Sequence, residues 1–404
     1  MVATKMRQMK SAPFDSSLLE KLRRDTPATR DIAHFNNAGA SLMPDPVFEA
    51  TAHYFEAERM QGGYATQLLH KAQHDAFHAT FAQLLDADAE EIAYAHSATH
   101  AWNLAFHSLN LSEGDEIVSH ASDFVSNHLS YLQAQKRRGV VLRLAPSDAS
   151  GAVDPEGLAR LINRRTRLIS LAHVPAQGGL TNPAEEIGRI ARANSIPYLL
   201  DACQSVGQMP VSVSRIGCDF LTGTGRKFLR GPRGTGFLYV SRRMSEQIEP
   251  PFVDMTSAVW RDTRAYDLAP GARRFESYEI NFAGRIGLTV AASYALELGL
   301  DRIEARIAHL SGYLRAALQE IPGVSLHDLG TRLNGIVSFT KSGTTPEALV
   351  AHLADHRVNI SAVPAHMARL DLGARGVDGV ARASVHYFNT EAEIDRLCTA
   401  VRSG

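Results

Sequence analysis

The sequence predicts an α/β protein, a mostly parallel sheet with helices on both faces, followed by a smaller second domain. Three observations carry this expectation. Seven short apolar runs, "EEIAYAH", "DEIVSH", "VVLRLAP", "RLISLAHV", "PYLLDA", "DFLTG" and "GFLYV", recur along the first two thirds of the chain. Amphipathic stretches such as "PAEEIGRIARANS" separate several of them, and strands alternating with helices pair in parallel because each crossover needs a helix to return the chain. The rhythm then breaks at "RIGLTVAASYALELGLDRIEARIAHLSGYLRAALQEI". Its apolar period reads as one or two long helices, and short strands and helices follow it.

Bulk properties narrow the function. A chain of 404 residues fits two or three domains. Its 45% apolar and 21% charged residues match an ordinary globular protein. A net charge of -1 gives no general affinity for nucleic acid. The apolar runs fall short of the roughly 20 residues that span a bilayer, and the basic start "MVATKMRQMK" lacks the apolar stretch of a secretion signal. The three cysteines, Cys203, Cys218 and Cys398, form neither a disulfide framework nor a metal-ligand spacing. Histidines 96, 100, 107, 120 and 128 make no zinc spacing either. These features give a cytoplasmic protein with no metal, membrane or nucleic-acid partner.

In open α/β sheets ligands bind at the carboxyl ends of strands. "PYLLDACQ" ends a buried strand at Asp201, with Gln204 three residues on. A carboxylate there serves either as a helix N-cap or as the partner of a cation. One strand later, "DFLTGTGRKFLRGPRGTG" brackets Lys227 with glycines. A lysine in a dry, cationic setting loses proton affinity and becomes nucleophilic toward aldehydes. Thr224 and Arg226 beside it can donate to phosphate oxygens, and glycines let backbone amides approach an anion. Upstream, "AYAHSATHAWNLAF" sets Ser97 and Thr99 at a strand-to-helix junction, a natural anion site. An aldehyde-seeking lysine, a carboxylate for a ring cation and a phosphate cradle together describe pyridoxal 5′-phosphate (PLP).

The ordered set "DACQ…GTGRKFLRGPRGTGFLYV" resembles the class V aminotransferase superfamily, the group of cysteine desulfurases and selenocysteine lyases. The similarity runs from "HFNNAGASLMP" to "RASVHYFNTEAEIDRL". It implies PLP fold type I, with a large domain built on a mostly parallel seven-stranded sheet and a smaller C-terminal α/β domain. The implied division is an N-terminal segment, 1–30, packing on the small domain, a PLP-binding domain, 31–290, and the small domain, 291–404. By position, Lys227 would carry the cofactor covalently, Asp201 would pair with the pyridine nitrogen and Gln204 with the phenolic oxygen. Ala98 and Thr99, with Thr224 and Arg226, would hold the phosphate. Phe124 in "SDFVSNHLSY" takes the ring-stacking place where relatives commonly have histidine. Arg382 resembles the arginine that clamps a substrate carboxylate; guanidinium binds carboxylates bidentately, though a surface salt bridge is the plainer alternative. Arg273, Arg274 and His173 are further candidates for substrate or cofactor contact, the two arginines across a dimer interface. Solvated surface arginines and an ordinary strand-end histidine account for them equally well. Tyr64 in "QGGYATQ" could border the site. The resemblance also implies a homodimer with sites at the interface.

The reaction is less determined. Desulfurases use a mobile thiol, yet the matching region "VNISAVPAHMARLDLGARGVDG" holds no cysteine. Ala176 in "AHVPAQGG" stands where desulfurases have asparagine, and "RRFESYEINFAGRIGL" departs from "RFEAGTP" toward the ergothioneine-pathway sulfoxide lyases and isopenicillin N epimerase-like members. The expectation is a C–S lyase eliminating sulfur from a cysteine-derived amino acid. An epimerase or aminotransferase is the alternative, and persulfide-forming desulfurase or a non-catalytic PLP-binding regulator comes last.

Overall fold

The computed structural model describes residues 14–404. The chain enters through α1 (Ser16–Arg24) and the short strand β1 (Ala33–His34), then passes α2 (Asp45–Gln61), α3 (Gly63–Leu69) and α4 (Lys71–Leu85). From there strands and helices alternate: β2 (Ile92–Ala95), α5 (Ala98–His107), β3 (Glu116–His120), α6 (Val125–Arg138), β4 (Val141–Ala145) and α7 (Pro155–Leu161). The series continues through β5 (Thr166–Ala172), α8 (Ala184–Ala193), β6 (Tyr198–Asp201), α9 (Val213–Ile216), β7 (Phe220–Thr224) and β8 (Gly236–Val240). These strands form one sheet in the order β2-β8-β7-β6-β5-β3-β4. Every pair within β7-β6-β5-β3-β4 is parallel, and β8 runs against both of its neighbours. All seven apolar runs of the sequence are strands of this sheet.

Burial on both faces explains why those runs are continuously apolar. Alternate residues serve different cores: Ile92, Tyr94, Leu200 and Leu221 join one cluster, while Ala93, Ala95, Leu199 and Phe220 join the other. The second cluster includes Trp102 of α5 and Tyr131 of α6, so these two helices cover one face. Ile187 of α8 belongs to the first cluster, on the opposite face.

After α10 (Arg242–Ser245) comes an exposed hairpin, β9 (Ala258–Asp262) with β10 (Ala265–Leu268), which the sequence reading did not anticipate. The long helical stretch is two helices, α11 (Phe282–Leu298) and α12 (Leu300–Gln319). Gly299 divides them at φ 86°, a left-handed conformation that glycine adopts without steric cost. The C-terminal part contains β11 (Val324–Leu326), β12 (Ile336–Lys341), α13 (Pro346–Asp355), β13 (Val358–Asn359), β14 (Ser361–Pro364), β15 (Gly379–Ser384) and α14 (Glu391–Ser403). Its four-stranded antiparallel sheet has the order β11-β12-β15-β14.

Two features cross the expected division. β1 pairs with β13, and Asn36 bridges to Ser384, so the chain following α1 is stitched to the C-terminal part. The expected boundary at 290 falls inside α11. Arg23 of α1 pairs with Glu393 at 2.8 Å and donates to the Phe388 carbonyl, which docks α1 on α14. The expected packing of residues 1–13 lies outside the described residues.

Candidate active site

The site forms where β6 and β7 end. Asp201 is the last residue of β6 and pairs in register with Ala172 of β5 and Thr222 of β7. Its carboxylate accepts from the Cys203 amide (2.9 Å) and from Asn127 Nδ2 (3.2 Å). Both donors meet the carboxylate at a buried position. Gln204 follows on the same turn and donates Nε2 to the Ala38 carbonyl at 3.1 Å, leaving Oε1 buried without a partner.

Lys227 lies past the end of β7 and is only 7% exposed. Among the described residues its ammonium makes no ion pair; it stands 5.8 Å from the centroid of the Phe124 ring. Burial lowers its proton affinity most; nearby Cys203 and Asp201 oppose that, while Arg226 and Arg382 reinforce it. A buried lysine without a fixed acidic partner is costly unless something else meets it. The turn after it is held from behind. Arg230 takes a left-handed φ of 64°, a conformation costing about 1 kcal/mol or more for a residue with a Cβ. Its guanidinium offsets that strain by donating to Leu42 O (2.8 Å), Tyr387 Oη (2.7 Å) and Thr26 Oγ1 (2.6 Å), and it lies 4.5 Å from the Phe388 ring centroid.

Two guanidinium groups close the site without an acidic partner among the described residues. Arg226 donates to the Gly39 carbonyl, and Ser41 N donates back to Arg226 O at 2.8 Å. Arg382 extends from β15 of the small sheet, where it is paired with Ser338 and Ser361. It donates to Ala176 O (2.6 Å) and more weakly to Asn36 Oδ1 (3.4 Å), and its Nε is buried with no acceptor. Burial, reinforced by Arg226, brings its pKa down to about 10. Two neighbouring cations that repel each other in a dry pocket describe a receptor for anions.

The remaining wall is the start of α5. Ser97 caps that helix by accepting from His100 N at 3.1 Å, which leaves Ala98 and Thr99 in the first turn. The helix packs on β7 and β8, and Gly236 of β8 lets it approach. A Cβ at Gly236 would lie 2.7 Å from the Ser97 carbonyl carbon and 2.9 Å from Ala98 N. Thr224 ends β7 on the same side and its hydroxyl donates to Thr235 O at 3.3 Å.

The donor set therefore fits PLP: a lysine, a carboxylate at a strand end, an aromatic face from Phe124, an orphaned amide oxygen on Gln204 and a cationic helix-start cradle. The structure brings together Lys227, Asp201, Gln204, Phe124, Arg226 and Arg382, and it sets Thr224 beside the Ala98–Thr99 turn. It does not bring Arg274 or His173 to this group. Arg274 is engaged with the carbonyls of Ala269, Ser245 and Ile248, so it braces the segment after the β9-β10 hairpin. The His173 amide donates to Asp201 O, but its side chain lines a cavity with Arg332, Asp148 and Thr181, and burial pulls its pKa to about 4. Arg273 pairs with Glu276 at 3.6 Å. Tyr64 is exposed, with its hydroxyl meeting Tyr278.

The sequence reading missed two groups of residues. Asn36, Ala38 and Gly39 form a strip that touches Arg382, Gln204 and Arg226; only long-range pairing of β1 with β13 puts it there. Asp123, Asn127 and Tyr131 are spaced four apart on one face of α6 and its entry turn, and that polar spacing was the available signal. No cluster of three or more His, Cys, Asp or Glu among the described residues could hold a metal ion. No described helix is long and apolar enough to cross a membrane.

Comparison with known proteins agrees with this geometry. The family model described as Aminotransferase class-V matches residues 33–397. A protein named probable cysteine desulfurase from Methanothermobacter thermautotrophicus is 32% identical over 388 residues, covering 94% of this chain and 96% of its own. A probable cysteine desulfurase from Xylella fastidiosa (strain Temecula1) is 31% identical over 406 residues, covering 97% and 96%. Among solved structures, the apo cysteine desulfurase of Thermococcus onnurineus NA1 superposes with a TM-score of 0.88 at 27% identity, over 95% of this chain and 97% of that one.

Proposed function

We propose that this chain, which belongs to the class V aminotransferase family, breaks the carbon–sulfur bond of a cysteine-type amino acid. It is a PLP-dependent lyase. When bound, PLP supplies an electron-accepting ring that lowers the cost of removing the α-proton of an amino acid. The chain's own residues do the rest. Arg382 receives the substrate α-carboxylate on the edge left free by Ala176, which fixes the α-carbon in the site. Lys227, held with lowered proton affinity, takes the α-proton at Nζ and can return it to the leaving group. With PLP bound, Asp201 would face the ring nitrogen, Phe124 would cover one ring face, and Arg226, Thr224 and the start of α5 would grip the phosphate.

How the sulfur departs rests on the cysteines. None lies on residues 359–378, the stretch leading from beside Arg382 past Asp371, which Gln177 holds at 2.9 Å. Cys203 is half-buried beside Asp201; burial, then the Asp201 charge, pushes its thiol well up, away from the reactive thiolate. Burial likewise raises Cys218, and raises Cys398 to about 11. No thiolate stands ready to take sulfur, and that is the observation behind our reading of β-elimination: water and a cysteine-type substrate give pyruvate, ammonia and a thiol or sulfide. The relatives' names favour a second reading, sulfur transfer from cysteine to a thiol. They favour persulfide-forming desulfurase, placed last from the sequence, over elimination as well as over epimerase and aminotransferase.

One assay separates these readings. Protein loaded with PLP is incubated with L-cysteine and with S-substituted cysteines, and the products are separated. Pyruvate with equimolar ammonia supports elimination, and alanine with sulfur on a thiol acceptor supports transfer. Loss of α-stereochemistry without C–S cleavage contradicts both. We further infer a homodimer, because Phe48, Phe55 and Leu68 of α2 and α3 and Trp260 of β9 are exposed apolar side chains that a second copy would cover. A sedimentation mass of one chain at micromolar concentration would contradict the dimer.

A further inference from the structure

A second buried carboxyl group stands behind Asp201. Asp123, in the turn entering α6, accepts from Phe124 N (2.7 Å), Ser119 Oγ (3.0 Å) and Asn127 Nδ2 (3.0 Å), and Tyr131 Oη lies 2.8 Å away. Tyr131 Oη also meets Ser170 Oγ at 2.7 Å. The same Asn127 nitrogen that serves Asp123 reaches Asp201 Oδ2 at 3.2 Å. An amide nitrogen has two hydrogens, so Asn127 can give one to each carboxylate and lock both at a fixed spacing. Asp123, Asn127 and Asp201 are all at least nine-tenths buried. Nothing in the proposed reaction needs Asp123 to touch substrate, and its four donors fill the acceptor sites of its two oxygens.

We propose that Asp123 is a positioning residue that, through the Asn127 bridge, fixes the Asp201 carboxylate and sets how strongly it holds the protonated ring nitrogen of PLP. The inference rests on PLP binding against Asp201. Asn127 ties the two carboxyl groups to one donor in a dry site, so a charge on Asp123 acts directly on the Asp201 side of the bridge. Burial and the Asp201 charge raise Asp123 to about 6. Below that pH Asp123 is neutral; above it Asp123 places a negative charge behind Asp201, which favours a positively charged ring. The groups facing Asp123 are Asp201 and Tyr198 from β6 and Tyr131 from α6, with His128 of α6 lining the same cavity. Lys227 and Cys203 face Asp201 from its far side. Burial and Asp123 raise the proton affinity of both tyrosines, which keeps them neutral in this window, and burial lowers that of His128.

The test is PLP affinity of the apoprotein, measured by fluorescence titration at pH 5.0 and pH 8.0. Asp123→Asn keeps the shape and removes the charge. It should weaken PLP about tenfold at pH 8.0, the equivalent of roughly one pH unit of coupling between the carboxyl groups, and leave affinity at pH 5.0 as in the unsubstituted protein. Asn127→Leu, which breaks the bridge, should flatten the pH dependence in the same way. A merely structural role would weaken binding equally at both pH values, and that result overturns the proposal, as does unchanged affinity at pH 8.0. Should Asp123→Asn fail to fold, the Asn127→Leu comparison decides alone. Should both fail, the unsubstituted apoprotein labelled with ¹³C at aspartate carboxyls must show a signal titrating near pH 6, and its absence overturns the proposal. If the unsubstituted protein binds no PLP at either pH, the cofactor reading fails first; if it binds and the variants match it, only the role of Asp123 fails.

Discussion

Replacing Arg382 by leucine should make the apoprotein more stable while nearly abolishing activity. The guanidinium is 8% exposed and has no acidic partner among the described residues. Its displacement from the ordinary arginine range down to about 10 corresponds to about 3 kcal/mol held against the charged form at neutral pH. Leucine removes that penalty but strands the Ala176 carbonyl, which gives back about 1 kcal/mol. The net gain is about 2 kcal/mol, or roughly 2 °C in Tm for a chain of this length. Activity should move the other way. A buried charge-assisted contact to a carboxylate contributes about 2–5 kcal/mol, so kcat/KM should fall about thirtyfold to several-thousandfold. Arg382→Lys keeps the charge and loses the fork, and should lie between the two. The assay pairs thermal unfolding of PLP-free protein with steady-state kinetics of the loaded enzyme. A Tm that drops by several degrees with kcat/KM unchanged would refute the reasoning and make Arg382 a structural strut.

Three other outcomes are expected. Asp201→Asn should still bind PLP, yet slow turnover by about a hundredfold or more because the ring loses its fixed anion; turnover within a few-fold of the unsubstituted protein would contradict this. Phe124→Leu keeps apolar contact but loses aromatic stacking of about 0.5–1.5 kcal/mol, and should weaken PLP about three- to tenfold in an equilibrium titration. Acid should destabilise the fold in a defined window. Burial holds His74, His120 and His173 at about 4, below their ordinary 6.5. Groups depressed on folding lend stability that is complete above 6.5 and lost as pH falls toward 4. Tm should therefore decline through that range, and His120→Asn should lessen the decline.

The large sheet was legible because its inner strands are buried on both faces and appear as unbroken apolar runs such as "PYLLDA", the half-exposed edge strand β4 excepted. Asp201 stood out as a charged residue ending such a run, and Lys227 as a lysine bracketed by glycines past the end of the next. The β9-β10 hairpin was not: Val259 and Trp260 are exposed, and a strand that packs on nothing within its own chain has no inward face to pattern. The strip from Asn36 to Gly39 was hidden for another reason, since its place depends on β1 pairing with a strand more than three hundred residues away. Arg274 and His173 were named for their side-chain types alone. Their types suited a binding role, but which carbonyls come near Arg274 and which way the His173 ring turns are decided by packing. Asp123 and Asn127 stood beside Phe124 in a stretch read only for its aromatic ring.

The most direct test locates the covalent bond between protein and cofactor. Protein loaded with PLP is reduced with borohydride, digested and analysed by mass spectrometry. The added cofactor mass should fall on the peptide containing Lys227, in stoichiometric amount, and Lys227→Ala should carry none. Cofactor mass on a different lysine, or retained by the Lys227→Ala variant, would contradict the account.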